Sequence, residues 1–99
     1  MKRTLVRYKT KPEQSAENVR LIEQVFRELK AKAPDGVRYL ALKLGDGTFV
    51  HFVQIEDGAT PIPSLDAFRS FQSGIKERCV ELPQSGEATI VGNYRMLAE

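Results

Sequence analysis

The hydrophobic pattern is densest between Val37 and Glu56, where VRYLALKL and TFVHFVQIE flank Gly45-Asp46-Gly47. Two apolar runs rich in β-branched and aromatic residues, joined by a short glycine-bearing turn, predict a β-hairpin. Leu40, Leu42 and Leu44 alternate with Tyr39 and Ala41, and Phe49, Val53 and Ile55 alternate with Val50 and Phe52, so both runs are apolar on both faces. A sheet of that kind needs cover on each side. Upstream, Thr4 to Lys9 alternates Val6 and Tyr8 against Leu5, Arg7 and Lys9 and predicts a first strand. From Pro12 to Ala33 the period changes: Val19, Ile22, Phe26, Leu29 and Ala33 form one stripe, widened by Val25, with charged residues opposite. That spacing predicts an amphipathic helix of roughly 30 Å. Thr10 and Glu13 have capping-box spacing at its start, and Pro34-Asp35-Gly36 ends it.

Beyond Glu56, DGATPIPS predicts a loop long enough to close over a site. Ser64 is placed to cap a second helix, in which Leu65, Phe68, Phe71, Ile75 and Cys79 recur at helical spacing. Pro83 to Gly86 interrupts the chain, and the alternation from Glu87 to Leu97 predicts a last strand. Strand, helix, strand, strand, helix, strand is the ferredoxin-like βαββαβ order of α+β domains, here one domain over residues 1–99 with a four-stranded antiparallel sheet. Right-handed crossovers place both helices on one face. The other face still carries Leu5, Val91 and alternate apolar residues of the hairpin, which predicts a homodimer pairing sheet against sheet.

Composition narrows the function. The net charge of +2 arises from 15 basic and 13 acidic residues dispersed along the chain, without the clustered basic footprint of a nucleic-acid binder. One cysteine excludes an internal disulfide, and Cys79 with the single histidine cannot build a zinc site, so no metal and no cofactor are expected. No stretch has the length or hydrophobicity of a signal peptide or a membrane span, which predicts a cytoplasmic protein with no membrane partner.

The segments YKTKPE, ELKAKAPDGVRYL, GDG, FVHF, IED and VGNYR together resemble the dimeric α+β barrel superfamily, nearest its antibiotic-biosynthesis-monooxygenase-like group, over nearly the whole chain. The resemblance implies a dimeric barrel and a function drawn from cofactor-free oxygenases of phenolic polyketides, haem-degrading oxygenases, small-lactone isomerases or members without known activity. Fold alone does not choose among these. Haem degradation is disfavoured, because that branch is marked by Asn, Trp and His around the haem, whereas this chain has no Trp and carries its one His on a strand. Many members of the group carry a late third-strand Glu followed by an aromatic; Val53 and Ile55 stand at the matching positions.

His51 is the candidate catalytic residue, a proton acceptor able to ionise a phenol or enol before reaction with oxygen. A two-residue turn at Asp46-Gly47 would set Leu42 opposite His51, beside Tyr8 in a pocket between sheet and helices. A three-residue loop with a bulge at Gly47 would set Ala41 opposite, with Tyr39 and Lys43 on the histidine's side. We favour the second register, since it gathers Arg7, Lys43, His51 and Arg95 on one side and puts the leucines under the helices; His51 would then lie in the barrel or dimer interface. Tyr8, Tyr39, Phe68, Phe71 and Arg7 are the candidate pocket residues for a small hydrophobic or aromatic ligand. For the tyrosines and phenylalanines, packing is the commoner role at such positions, and Cys79 reads as a small buried hydrophobe. An apolar pocket of about 300 Å³ with His51 on its wall would favour an enzyme, and an interface filled by Phe68, Phe71 and Leu40 a non-catalytic module.

Overall fold

The computed structural model describes residues 1–98. Strand β1 (Lys2–Thr10) leads through a 3-10 turn at Pro12–Gln14 into helix α1 (Ser15–Lys32); β2 (Val37–Lys43) and β3 (Thr48–Ile55) form the hairpin; α2 (Asp66–Gln72), α3 (Ile75–Arg78) and β4 (Cys79–Glu87) complete the order. The strands form one antiparallel sheet in the order β2-β3-β1-β4, the ferredoxin-like arrangement expected.

The hairpin closes through the three-residue loop. Leu44 donates its amide to the Thr48 carbonyl at 2.8 Å, Gly47 donates to the Leu44 carbonyl at 3.2 Å, and Gly47 takes a φ of +88°, a conformation that favours glycine. Asp46 fixes the turn by accepting the Thr48 amide at 3.0 Å. Ala41 accordingly stands opposite His51.

The faces, however, are reversed from the sequence expectation. Cross-strand rows Tyr39–Val53–Thr4 and Ala41–His51–Val6 lie under the helices, while rows Leu40–Phe52–Leu5 and Leu42–Val50–Arg7 lie on the opposite side. The aromatic side chains explain the choice. Tyr8 stacks on Phe49 with ring centroids 5.4 Å apart, and Phe26 of α1 meets Tyr39 edge-on at 4.9 Å, so the helix-covered face gains large rings. Leu21 and Val25 of α1, Phe71 of α2 and Cys79 complete this core.

Four boundaries also differ from the sequence reading. The second helix breaks at Ser73–Gly74, where Gly74 has a φ of +79°. Its start is not capped by Ser64, whose hydroxyl donates to the Pro61 carbonyl; the Glu28 carboxylate of α1 instead accepts the amides of Asp66 and Ala67 at 3.3 and 2.8 Å. The capping box at Thr10 is replaced by a hydrogen bond from its hydroxyl to the Gly47 carbonyl at 3.4 Å, and the 3-10 turn has no side-chain cap. The last strand is Cys79–Glu87, not Glu87–Leu97. Pro83 does not end it: the β1–β4 register shifts between the Arg7–Gln84 and Lys9–Glu81 pairs, and this irregularity of an edge strand is where Pro83 sits, outside the regular ladder. Residues 88–98 run as irregular chain, with Met96 and Leu97 beside Leu40 and Phe52 on the open face.

Candidate functional site

Between the helix-covered face of the sheet and helices α2 and α3 lies a cavity of about 320 Å³. Val6, Val53, Ile55, Ile62, Phe68 and Ile75 supply apolar wall, and Tyr8, Tyr39, His51 and Phe71 line it as well. The loop after β3 contributes through Ile62 and Pro63. Of the pocket residues expected from sequence, Tyr8, Tyr39, Phe68 and Phe71 thus share one cavity with His51. Arg7 does not: it is exposed on the other face of the sheet, beside Glu81 and Leu82 of β4. Leu40 is likewise on that face, so it cannot fill the sheet–helix interface.

His51 is 3% exposed and held at both ring nitrogens, with Nε2 at 2.8 Å from the Tyr8 hydroxyl and Nδ1 at 2.6 Å from the Tyr39 hydroxyl. The imidazole also packs against Phe71, centroids 5.4 Å apart. Burial away from water penalises the imidazolium and pushes the His51 pKa down to about 4, so the ring is neutral near neutral pH. The same cause raises both phenols; Asn18 acts in the opposite sense on Tyr8 through its hydrogen bond.

The cluster extends into the protein. Asn18 of α1, fully buried, donates Nδ2 to the Tyr8 hydroxyl at 2.8 Å and accepts Arg78 Nε at Oδ1, 3.1 Å away. Arg78 is 6% exposed, and its other nitrogens donate to the Phe71 and Ser73 carbonyls at 2.6 and 3.1 Å, closing the C-terminal end of α2. Its guanidinium lies 5.4 Å from the Phe71 ring centre. This Arg78–Asn18–Tyr8–His51–Tyr39 chain has no counterpart in the sequence reading beyond His51 and the tyrosines. Asn18 carried a readable signal, since it precedes Leu21 and Val25 at the i+3 and i+7 spacing of a buried stripe. Arg78 carried none, because its burial depends on the break in the second helix.

Among the described residues no group of three or more His, Cys, Asp or Glu is placed to hold a metal ion, and no helix is long and apolar enough to cross a membrane.

No family model matches the chain, and no match is found among curated proteins. Solved structures do match. A protein from Mycobacterium tuberculosis superposes with a TM-score of 0.70 at 12% identity, covering 92% of this chain and 95% of its own. A Caulobacter crescentus protein assigned to the antibiotic biosynthesis monooxygenases gives 0.68 at 13% identity, covering 91% and 89%. SnoaB, a cofactor-independent oxygenase from Streptomyces nogalater, gives 0.66 at 13%, covering 94% and 95%. The chain therefore has the ferredoxin-like α+β fold of the antibiotic-biosynthesis-monooxygenase-like proteins. At these identities the likeness establishes the fold.

Proposed function

We propose that the protein is a homodimeric, cofactor-independent monooxygenase-like enzyme acting on a small aromatic or enolisable molecule. The observation that carries this reading is the cavity itself: about 320 Å³ of largely apolar space with one polar cluster, Tyr39, His51 and Tyr8, set into its wall. A planar ring fits the apolar walls and brings its oxygen to the hydroxyl of Tyr39. His51, bonded at both nitrogens, acts on the ligand through that hydroxyl. A substrate that binds as its enolate, its proton released to solvent, is stabilised there, and its adjacent carbon is electron-rich enough to react with dioxygen. A hydroperoxide forms at that carbon and loses water, so that CH2 plus O2 becomes C=O plus H2O and no external reductant is needed.

The open face of the sheet supports the dimer in this reading: Leu5, Leu40 and Leu42 stand exposed around Phe52. Facing that surface with its two-fold copy removes it from water.

Oxygen uptake by the purified protein tests the enzyme reading, using phenols, quinols and 1,3-dicarbonyl compounds as a panel. Uptake that requires an enolisable or phenolic substrate and is lost in Tyr39→Phe is the expected result. A second reading, a binding module of the same fold without turnover, is favoured by the engagement of both His51 nitrogens. Ligand binding with no oxygen consumption across the panel would decide for it.

A further inference from the structure

The hydrogen bonds leading to the cavity have a direction, and it begins at Arg78. A guanidinium can only donate, so the Asn18 atom facing Arg78 Nε is the carbonyl oxygen and the atom facing Tyr8 is the amide nitrogen. That nitrogen also only donates, so Tyr8 accepts from Asn18 and must place its own hydrogen elsewhere. Tyr8 is 2% exposed, and the remaining hydrogen-bond neighbour of its hydroxyl among the described residues is His51 Nε2 at 2.8 Å. A buried hydroxyl hydrogen is placed on an acceptor. Nε2 is therefore the bare nitrogen of the ring.

A neutral imidazole with Nε2 bare carries its hydrogen on Nδ1. Nδ1 then donates to the Tyr39 oxygen 2.6 Å away, and the Tyr39 hydrogen is turned outward to the cavity that this residue lines. The opposite tautomer would give the Tyr8 oxygen two donors and leave its hydrogen without an acceptor among the protein groups around it. That defect alone disfavours it by about tenfold or more.

We infer that Arg78 and Asn18 are positioning residues that fix His51 as the Nδ1–H tautomer and make Tyr39 a hydrogen-bond donor to the ligand, so that the cavity selects a carbonyl, enolate or phenolate oxygen over a hydroxyl. The inference deepens the proposed function and rests on its reading of the cavity as the ligand site. Burial supports it by keeping His51 neutral and Tyr39 protonated. Each bond in the chain polarises the next, so the terminal Tyr39 hydroxyl is a stronger donor than an isolated phenol.

The chain holds a single histidine, so one ring is observed when the full-length protein is labelled with nitrogen-15 histidine. Long-range proton–nitrogen correlation spectra near neutral pH should show a protonated Nδ1 and a bare Nε2. The reverse pattern overturns the inference. Asn18→Asp is the diagnostic variant: a carboxylate accepts from both Arg78 and Tyr8, reversing every later bond, and should convert the ring to the Nε2–H tautomer. Retention of the wild-type pattern in a folded Asn18→Asp protein also overturns it. If that variant does not fold, the wild-type spectrum still decides.

The probe ligand is 4-nitrophenol, whose absorbance reports its ionisation while bound. Wild-type protein should bind the phenolate about tenfold more tightly than the phenol. Tyr39→Phe should abolish this preference. A wild-type preference for the neutral phenol contradicts the inference. The nitrogen spectra are read without ligand, so a failure of oxygen uptake bears on the enzyme reading alone and leaves the direction of the chain standing.

Discussion

The two faces of the sheet invert the usual distribution of side chains. The face under the helices buries a histidine, an asparagine and an arginine among its rings, whereas the open face exposes leucines: Leu40 is 44% and Leu42 52% accessible. Burying polar groups costs several kcal/mol unless each finds a partner. Here the hydrogen bonds from Arg78 through Tyr39 supply partners all along the chain. Exposed leucines have no comparable remedy within one protomer. The covered face is thus finished by the fold itself, while the open face keeps Leu40 and Leu42 exposed, and the proposed dimer rests on that difference.

Experiments can separate the two faces. The largest effect is expected on the open one: Leu40→Glu combined with Leu42→Glu should weaken a dimer by at least about a thousandfold, because each buried leucine is worth about 1.5–3 kcal/mol and every substitution occurs twice. Sedimentation equilibrium would show a monomer with unchanged far-ultraviolet circular dichroism; a wild-type protein already monomeric at micromolar concentration would remove the basis of the comparison. On the covered face, Arg78→Met strands the Asn18 Oδ1 and the Phe71 and Ser73 carbonyls, and urea denaturation should report a loss of about 4 kcal/mol.

A smaller effect is expected from pH. The His51 pKa is about 4 in the folded protein and 6.5 when unperturbed, so the unfolded chain binds the additional proton between these values. Its contribution to stability is therefore complete above pH 6.5 and is lost as the pH falls toward 4, by about 3 kcal/mol in all. The difference between wild type and His51→Gln, followed by thermal melting over that window, isolates this slope; parallel curves would show that the ring is not desolvated. Smallest of all, Tyr39→Phe removes one hydroxyl at the half-buried end of the chain and should cost about 1 kcal/mol.

Much of the architecture was legible in the sequence, because period and turn chemistry are local. Gly45-Asp46-Gly47 announced its bulged loop, and the stripe from Val19 to Leu29 announced α1. The assignment of faces failed for a reason that is not local. Alternation states which residues share a side, but which side the helices cover depends on whether His51 and two tyrosines can be satisfied there, and the groups that satisfy them, Asn18 and Arg78, come from distant segments. The last strand was displaced for a similar reason: Pro83 reads as an interruption until it is placed at a register shift of an edge strand. The candidate site was legible in its members, His51, Tyr8, Tyr39, Phe68 and Phe71, but not in its hydrogen-bonding order.

Strand β4 pairs with β1, so the sheet joins the first described strand to the last. The polar chain behind the cavity shares this long-range character, running through positions 8, 18, 39, 51 and 78. Contacts so far apart in sequence are costly to close and form late. A polypeptide emerging from its N-terminus can stack Tyr8 on Phe49 once the hairpin is made, yet Asn18 awaits Arg78 until the following thirty or so residues have been added. Until then that asparagine is either hydrated or incompletely paired. The site thereby ties its own completion to that of the whole molecule, and partly folded forms lack a finished cavity.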